Sequence, residues 1–284
     1  MKTCPVLFTV GLLLLTACLI VSPVAPAAES PRLGPPEGEI TAPSPKVARM
    51  EEPFDYRETD QLHPPPQEPV LFIGSSTTAR WKLKRFLPGH PLLNRGVGGT
   101  QMADMALHVD RLVTPYAPRT LVIYQGDNDV YHKKTAAQIT NDAHHLAWQV
   151  LEELPECTIV FLAVKPSPSR AELWPQAREV NAQLAELCSR DDRMHFVDLN
   201  APLLLPSGEA DPGCFVADML HLNPEGYARW SRAVNEALAE IDPLWAEEAE
   251  AQAKRPPTGS AADADADADP DAESDPEADP DAMR

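Results

Sequence analysis

The chain has 284 residues, a formal net charge of -19 and 31 prolines. No Lys/Arg cluster or basic stripe interrupts the acidity, which argues against nucleic-acid binding. Asp-Ala and Asp-Pro repeats between Asp263 and Asp281 supply about half of that charge, so the remainder is only moderately acidic.

Composition divides the chain into four zones. Residues 1–27 read as a signal peptide or lipoprotein signal, with Lys2 as a minimal basic start and an apolar run over 6–17 too short to span a bilayer. Leu15-Thr16-Ala17-Cys18 resembles a lipobox, which would make Cys18 the lipidation site. Cleavage after Ala25-Pro26-Ala27, or retention as an uncleaved anchor through Leu19-Ile20-Val21, are the alternatives. All three export the protein to the periplasm or cell surface, membrane-anchored or secreted. Residues 28–66 are crowded with proline and lack apolar periodicity, which predicts an extended, disordered linker. Residues 67–245 carry the patterning of one folded domain. Residues 246–284 form an acidic, alanine-rich tail that repels itself and is expected to be disordered.

Within the patterned zone, short apolar runs alternate with helical stretches. Val70-Leu71-Phe72-Ile73, Pro91-Leu92-Leu93-Asn94, Leu121-Val122-Ile123-Tyr124, Ile159 to Val164 and His195 to Leu199 suit strands buried on both faces. Helices are predicted over 78–86, 101–112, 135–154, 171–189 and 225–241. In 135–154 the residues Ile139, Ala143, Leu146, Val150 and Leu151 share one face, and Pro224 suits the first turn of the last helix. The alternation implies a doubly wound α/β/α sandwich on a parallel sheet. In such sheets function sits in loops at the carboxyl ends of the strands.

Those loops carry the chemistry. The first strand ends in Gly74-Ser75-Ser76-Thr77-Thr78, the second in Asn94-Arg95-Gly96-Val97-Gly98-Gly99-Thr100, and the third in Gln125-Gly126-Asp127-Asn128-Asp129. Asp218-Met219-Leu220-His221-Leu222-Asn223-Pro224 precedes the last helix. Acyl transfer needs a nucleophile, a base, an orienter for the base and donors for an oxyanion. A serine at a strand-to-helix turn can attack, and its own N–H points where an anion would sit. The Gly98-Gly99 pair lets backbone approach closely, and the Asn128 amide is a neutral donor. His221 is the candidate base, with Asp218 three residues earlier to orient it.

Taken in chain order, these four segments resemble the signature blocks of the SGNH hydrolases, the GDSL-type esterase/lipase family. The resemblance runs from Val70 to Tyr227. It implies Ser76 as nucleophile, Asp218 and His221 as its partners, and an oxyanion hole from Ser76, Gly99 and Asn128. It also implies a flavodoxin-like fold with a five-stranded parallel sheet and a reaction without metal or cofactor. One position departs: the family's Gly-Asp-Ser is Gly74-Ser75-Ser76 here, which leaves Ser75 as the alternative nucleophile, and Gly98 stands as the alternative to Gly99.

The expected activity is hydrolysis of a carboxylic ester, such as an O-acetyl group on a sugar or a lipid ester, through an acyl-serine intermediate. The alternatives are an acyltransferase on cell-envelope glycans and a non-catalytic binding protein on the same scaffold. No G-x-S-x-G elbow, H-E-x-x-H or P-loop pattern occurs. The expected partners are therefore a small-molecule, glycan or lipid ester, with no nucleic acid. Cys157, Cys188 and Cys214 have no metal spacing and read as buried thiols; His144 and His145 read as a partly exposed helix face. The Lys165–Arg170 stretch reads as a rigid loop that could border a pocket, and Trp81 and Trp174 as packing residues.

Overall fold

In the computed structural model the described residues are 31–254; the leader with Cys18, and the tail beyond 254, lie outside them. Five parallel strands are ordered β2-β1-β3-β4-β5. They are β1 (Val70–Gly74), β2 (Leu92–Gly96), β3 (Thr120–Tyr124), β4 (Thr158–Leu162) and β5 (Met194–Val197). This is the flavodoxin-like order, and its topological switch lies between β1 and β3. The expected three-layer α/β/α architecture is therefore present.

Side chains alternate across a strand, so each β-run feeds two cores. Leu71, Ile73, Leu121, Ile123, Ile159 and Phe161 pack against the helices Met102–Ala106, Ala136–Glu153 and Trp174–Cys188. Val70, Phe72, Val122, Tyr124, Val160 and Leu162 face the other layer, where Trp81, Trp230, Val234 and Trp245 lie buried. Trp81 is thus a packing residue, and its indole donates to Ser231 Oγ at 2.9 Å. The helix Ala136–Glu153 starts at a capping box in which the Gln138 N–H donates to Thr135 Oγ1 and the Thr135 N–H to Gln138 Oε1.

Two predicted helices are each split. The stretch 78–86 becomes Ser76–Ala79 and Leu83–Phe86, because the Asn94 amide caps the carbonyls of Thr78 and Trp81 at 2.8 and 3.2 Å. The stretch 101–112 becomes Met102–Ala106 and Val109–Leu112. At that break His108 leaves helical geometry, its ring bonded to the Asp104 carbonyl and set edge-on to Phe54.

The proline-rich segment differs from expectation. Over 31–66 it lies along the domain as a strap, held by buried anchors and by carboxylates of the α-layer. Leu33, Val47 and Phe54 are buried in the core. The Leu33 N–H donates to Asp191, the Thr41 N–H and hydroxyl to Asp142, and the Ser44 N–H to Asp104, at 2.6–2.8 Å. His144 and His145 turn out to be strap contacts, their Nε2 atoms donating to the Gly34 and Gly38 carbonyls. Proline suits such a strap because it removes donors that a lone extended chain could not satisfy.

The tail also begins later than 246. The helix Pro243–Ala253 folds back with Trp245 fully buried and stacked on His90 at 3.5 Å. Glu248 accepts both terminal nitrogens of Arg119 at 2.8 and 2.7 Å and the His90 ring at 2.9 Å. Its charge is matched locally by Arg119.

Candidate active site

The site assembles at the carboxyl ends of β1 and β3, on the switch crevice. Gly74 closes β1 at φ +148, and a Cβ there would lie 2.1 Å from the Tyr124 carbonyl oxygen. Only glycine permits that crossing between the two strands. Ser75 is then the extended N-cap and Ser76 the first helical residue. From the last helix, the buried Tyr227 hydroxyl donates to the Thr77 carbonyl at 2.8 Å and pins this turn.

Ser76 Oγ lies 2.7 Å from His221 Nε2, and His221 Nδ1 lies 2.7 Å from Asp218 Oδ2. A carboxylate only accepts, so the proton stays on Nδ1 and is donated to Asp218, which leaves Nε2 free to accept from the serine. The other Asp218 oxygen accepts the Leu220 and His221 N–H groups at 2.8 and 2.9 Å. This tight turn carries Met219 at φ +56. The contact to the histidine is made by Ser76, not by Ser75.

Electrostatics suit a neutral base. Burial pushes the His221 pKa below its ordinary value, and the nearby Arg80 and Lys165 charges push the same way, against the pull of Asp218. Burial raises the Asp218 carboxyl, but hydrogen bonds from the His221 ring and two backbone N–H groups outweigh it and hold the group at about 2.

The remaining loops are stitched to this centre. The Val97 N–H donates to the Gly74 carbonyl at 2.8 Å, and Asn128 Nδ2 donates to the Thr100 carbonyl at 3.0 Å. Gly99 stands between those tethers at φ +77. Asp129, fully buried behind them, accepts the Met102 N–H with both oxygens, which fixes the helix that leaves the glycine loop. The structure thus brings Ser76, Asp218 and His221 into direct contact, and ties the loops of Gly99 and Asn128 to each other.

The sequence matches the GDSL-like lipase/acylhydrolase family over residues 72–229. The chain belongs to this family, that of the SGNH hydrolases. It is an ester-hydrolysing enzyme. Several solved structures share the fold of this SGNH hydrolase. A protein from Streptococcus pneumonia is 21% identical, covering 64% of this chain and 89% of its own, with a TM-score of 0.59. A GDSL-like lipase from Bacteroides thetaiotaomicron is 18% identical over 65% and 96% of the two chains, at a TM-score of 0.55. An acetylxylan esterase from Geobacillus stearothermophilus is 17% identical over 62% and 94%, at 0.50. No curated protein matches the sequence.

The SGNH hydrolase also holds a charged cluster in the 165–170 stretch, whose sequence reads as a rigid loop that could border a pocket. Lys165 is buried, with Nζ 3.1 Å from Asp127 Oδ2, and Arg170 donates to Asp127 Oδ1 at 2.6 Å and to the Asp127 carbonyl at 3.0 Å. Two guanidinium nitrogens of Arg170 also reach Asn128 Oδ1 at 3.4 Å. Burial raises the Asp127 carboxyl, yet the two cations overcome it and hold it at about 2. Arg170 thereby faces the oxygen end of the Asn128 amide and leaves its nitrogen end for acceptors. No spacing in the sequence signals this, because Arg170 is 42 residues from Asn128 and arrives through the loop after β4. Among the described residues, no group of three His, Cys, Asp or Glu is placed to hold a metal ion. Cys157, Cys188 and Cys214 are buried free thiols.

Proposed function

We propose that this SGNH hydrolase is a serine esterase that cleaves a carboxylic ester through an acyl-serine intermediate. The observation that carries the reading is the continuous relay from Ser76 Oγ through His221 to Asp218, with 2.7 Å at each link. Ser76 Oγ attacks the ester carbonyl while His221 Nε2 takes its proton. The tetrahedral oxyanion is met by the N–H groups of Ser76 and Gly99 and by Asn128 Nδ2. As the carbon–oxygen bond to the alcohol breaks, His221 returns the proton to the leaving oxygen. Water then gives its proton to His221 and attacks the acyl carbon, releasing the acid and restoring Ser76. Asp218 holds the tautomer and stabilises the transient imidazolium.

By fold-level analogy with the acetylxylan esterase, O-acetyl groups on sugars are the first substrate class to try. The apolar leader ending at Cys18 supports action outside the cytoplasm, on a lipid anchor. The direct test is turnover of p-nitrophenyl acetate and an acetylated xylo-oligosaccharide by the full chain and by Ser76→Ala. Release of acetate that Ser76→Ala abolishes is the expected result. Equal release by both proteins, or none by the wild type across several short acyl chains, would reject the esterase reading. Retention in the membrane fraction after Cys18→Ala would count against lipidation.

A further inference from the structure

The strap lies outside the segment that matches the family, yet it reaches the glycine loop of the site. Its course there is fixed on both sides of Lys46. Ser44 is buried, with its N–H on Asp104, and Val47 is buried in the core and donates from its N–H to Ser44 Oγ. Between them Lys46 precedes the short 3-10 turn Val47–Arg49 and projects outward. Its Cδ lies 3.4 Å from where a Cβ on Gly99 would stand. The stem therefore rests on the loop given the second oxyanion donor, and the ammonium lies two bonds farther on. Among the described residues Lys46 makes no ion pair or side-chain hydrogen bond, whereas most cations around the site have carboxylate partners.

The charged groups nearest the site are already engaged with one another. Arg80, at the end of the Ser76 helix, is half-exposed and 3.9 Å from Asp218 Oδ2. Lys165 and Arg170 share the single carboxylate of Asp127. Asp129 is buried behind the loop and is taken by the Met102 N–H and Lys134.

We infer that Lys46 is a substrate-recognition residue, and that its ammonium binds an anionic oxygen group, such as a carboxylate, phosphate or sulfate, carried by the ester. The inference rests on the esterase reading for its substrate, but its geometry is independent of the chemical step. An exposed lysine resting on the glycine loop attracts an anion in a salt-dependent way and discriminates by about tenfold.

The experiment uses the full chain and two ester pairs. One is 4-acetoxybenzoate against its methyl ester, with the anion on the alcohol part. The other is p-nitrophenyl hemisuccinate against p-nitrophenyl butyrate, with the anion on the acyl part. The quantity read is the ratio of kcat/KM for the anionic ester to that for the neutral one. Lys46→Ala should lower the ratio about tenfold in at least one pair, Lys46→Glu further, and Lys46→Arg should restore it; 0.5 M salt should compress the differences. The responding pair identifies the side of the ester that bears the anion. Ratios unchanged in both pairs would overturn the inference. Should the wild type cleave none of the four, the esterase reading falls separately. Binding of the same esters to Ser76→Ala protein then decides: Lys46→Ala must weaken the anionic ester about tenfold, and equal affinity would overturn the role of Lys46.

Discussion

Asn128 donates its side-chain amide to the Thr100 carbonyl at 3.0 Å, joining the loop after β3 to the loop after β2. One amide hydrogen is spent on this bond, and the other is free to meet a developing oxyanion. The same side chain thus positions the glycine loop and, in the proposed reaction, donates to the oxyanion.

Asn128→Ala should therefore lower kcat by on the order of a hundredfold or more while leaving KM nearly unchanged. Steady-state kinetics on p-nitrophenyl acetate measure this. A near-normal kcat would remove Asn128 from the oxyanion hole.

Arg170 reaches Asn128 Oδ1 at 3.4 Å and should act through it rather than on substrate. Arg170→Ala should cost about tenfold in kcat, less than Asn128→Ala, and should cost little more once Asn128 is already alanine. Arg170→Lys should recover part of the loss, since one ammonium can still meet Asp127. Additive losses in the double variant would show that the two residues act separately.

The acid limb of kcat/KM should fall below the ordinary histidine range near 6.5, because burial and neighbouring cations both disfavour the His221 imidazolium. With its pKa depressed, His221 stays neutral, and the enzyme active, to lower pH. Arg80→Ala removes one of those cations, so the limb should move upward. A limb that stays in place would mean the Arg80 charge is screened from the imidazole.

Phe54 tests the strap. It is buried at 4% exposure and meets the His108 ring at 5.1 Å. Phe54→Ala should cost about 3–5 kcal/mol of stability, read from urea unfolding. A loose spacer would lose nothing measurable.

Much of the site was legible because its residue types sit at strand ends. A parallel sheet buried on both faces writes itself as apolar runs, and Gly74, Ser76, Gly99 and Asn128 follow three of them. Asp218 and His221 precede a helix whose Pro224 marks its start. The choice of Ser76 over Ser75 became geometric only when the helix placed Ser76 2.7 Å from His221. The helix breaks at Trp81 and at His108 were hidden, since the groups that end those turns, Asn94 and Phe54, come from elsewhere in the chain.

The strap is the clearest contrast. Residues 31–66 hold only the short 3-10 turn Val47–Arg49 and the short helix Arg57–Leu62, so they show no sustained hydrophobic period, and their proline content matches that of a linker. Their order comes from three separated apolar anchors and from the carboxylates of Asp104, Asp142 and Asp191, which only the folded α-layer aligns. Local sequence determined the strands, the loops and the kinds of chemical groups they carry, because these follow from periodicity and backbone preference. The tertiary structure alone decided which distant groups meet: Arg170 at Asn128, Glu248 at Arg119, and Lys46 over Gly99. Such contacts depend on where separate segments converge in space, and no local pattern encodes that convergence.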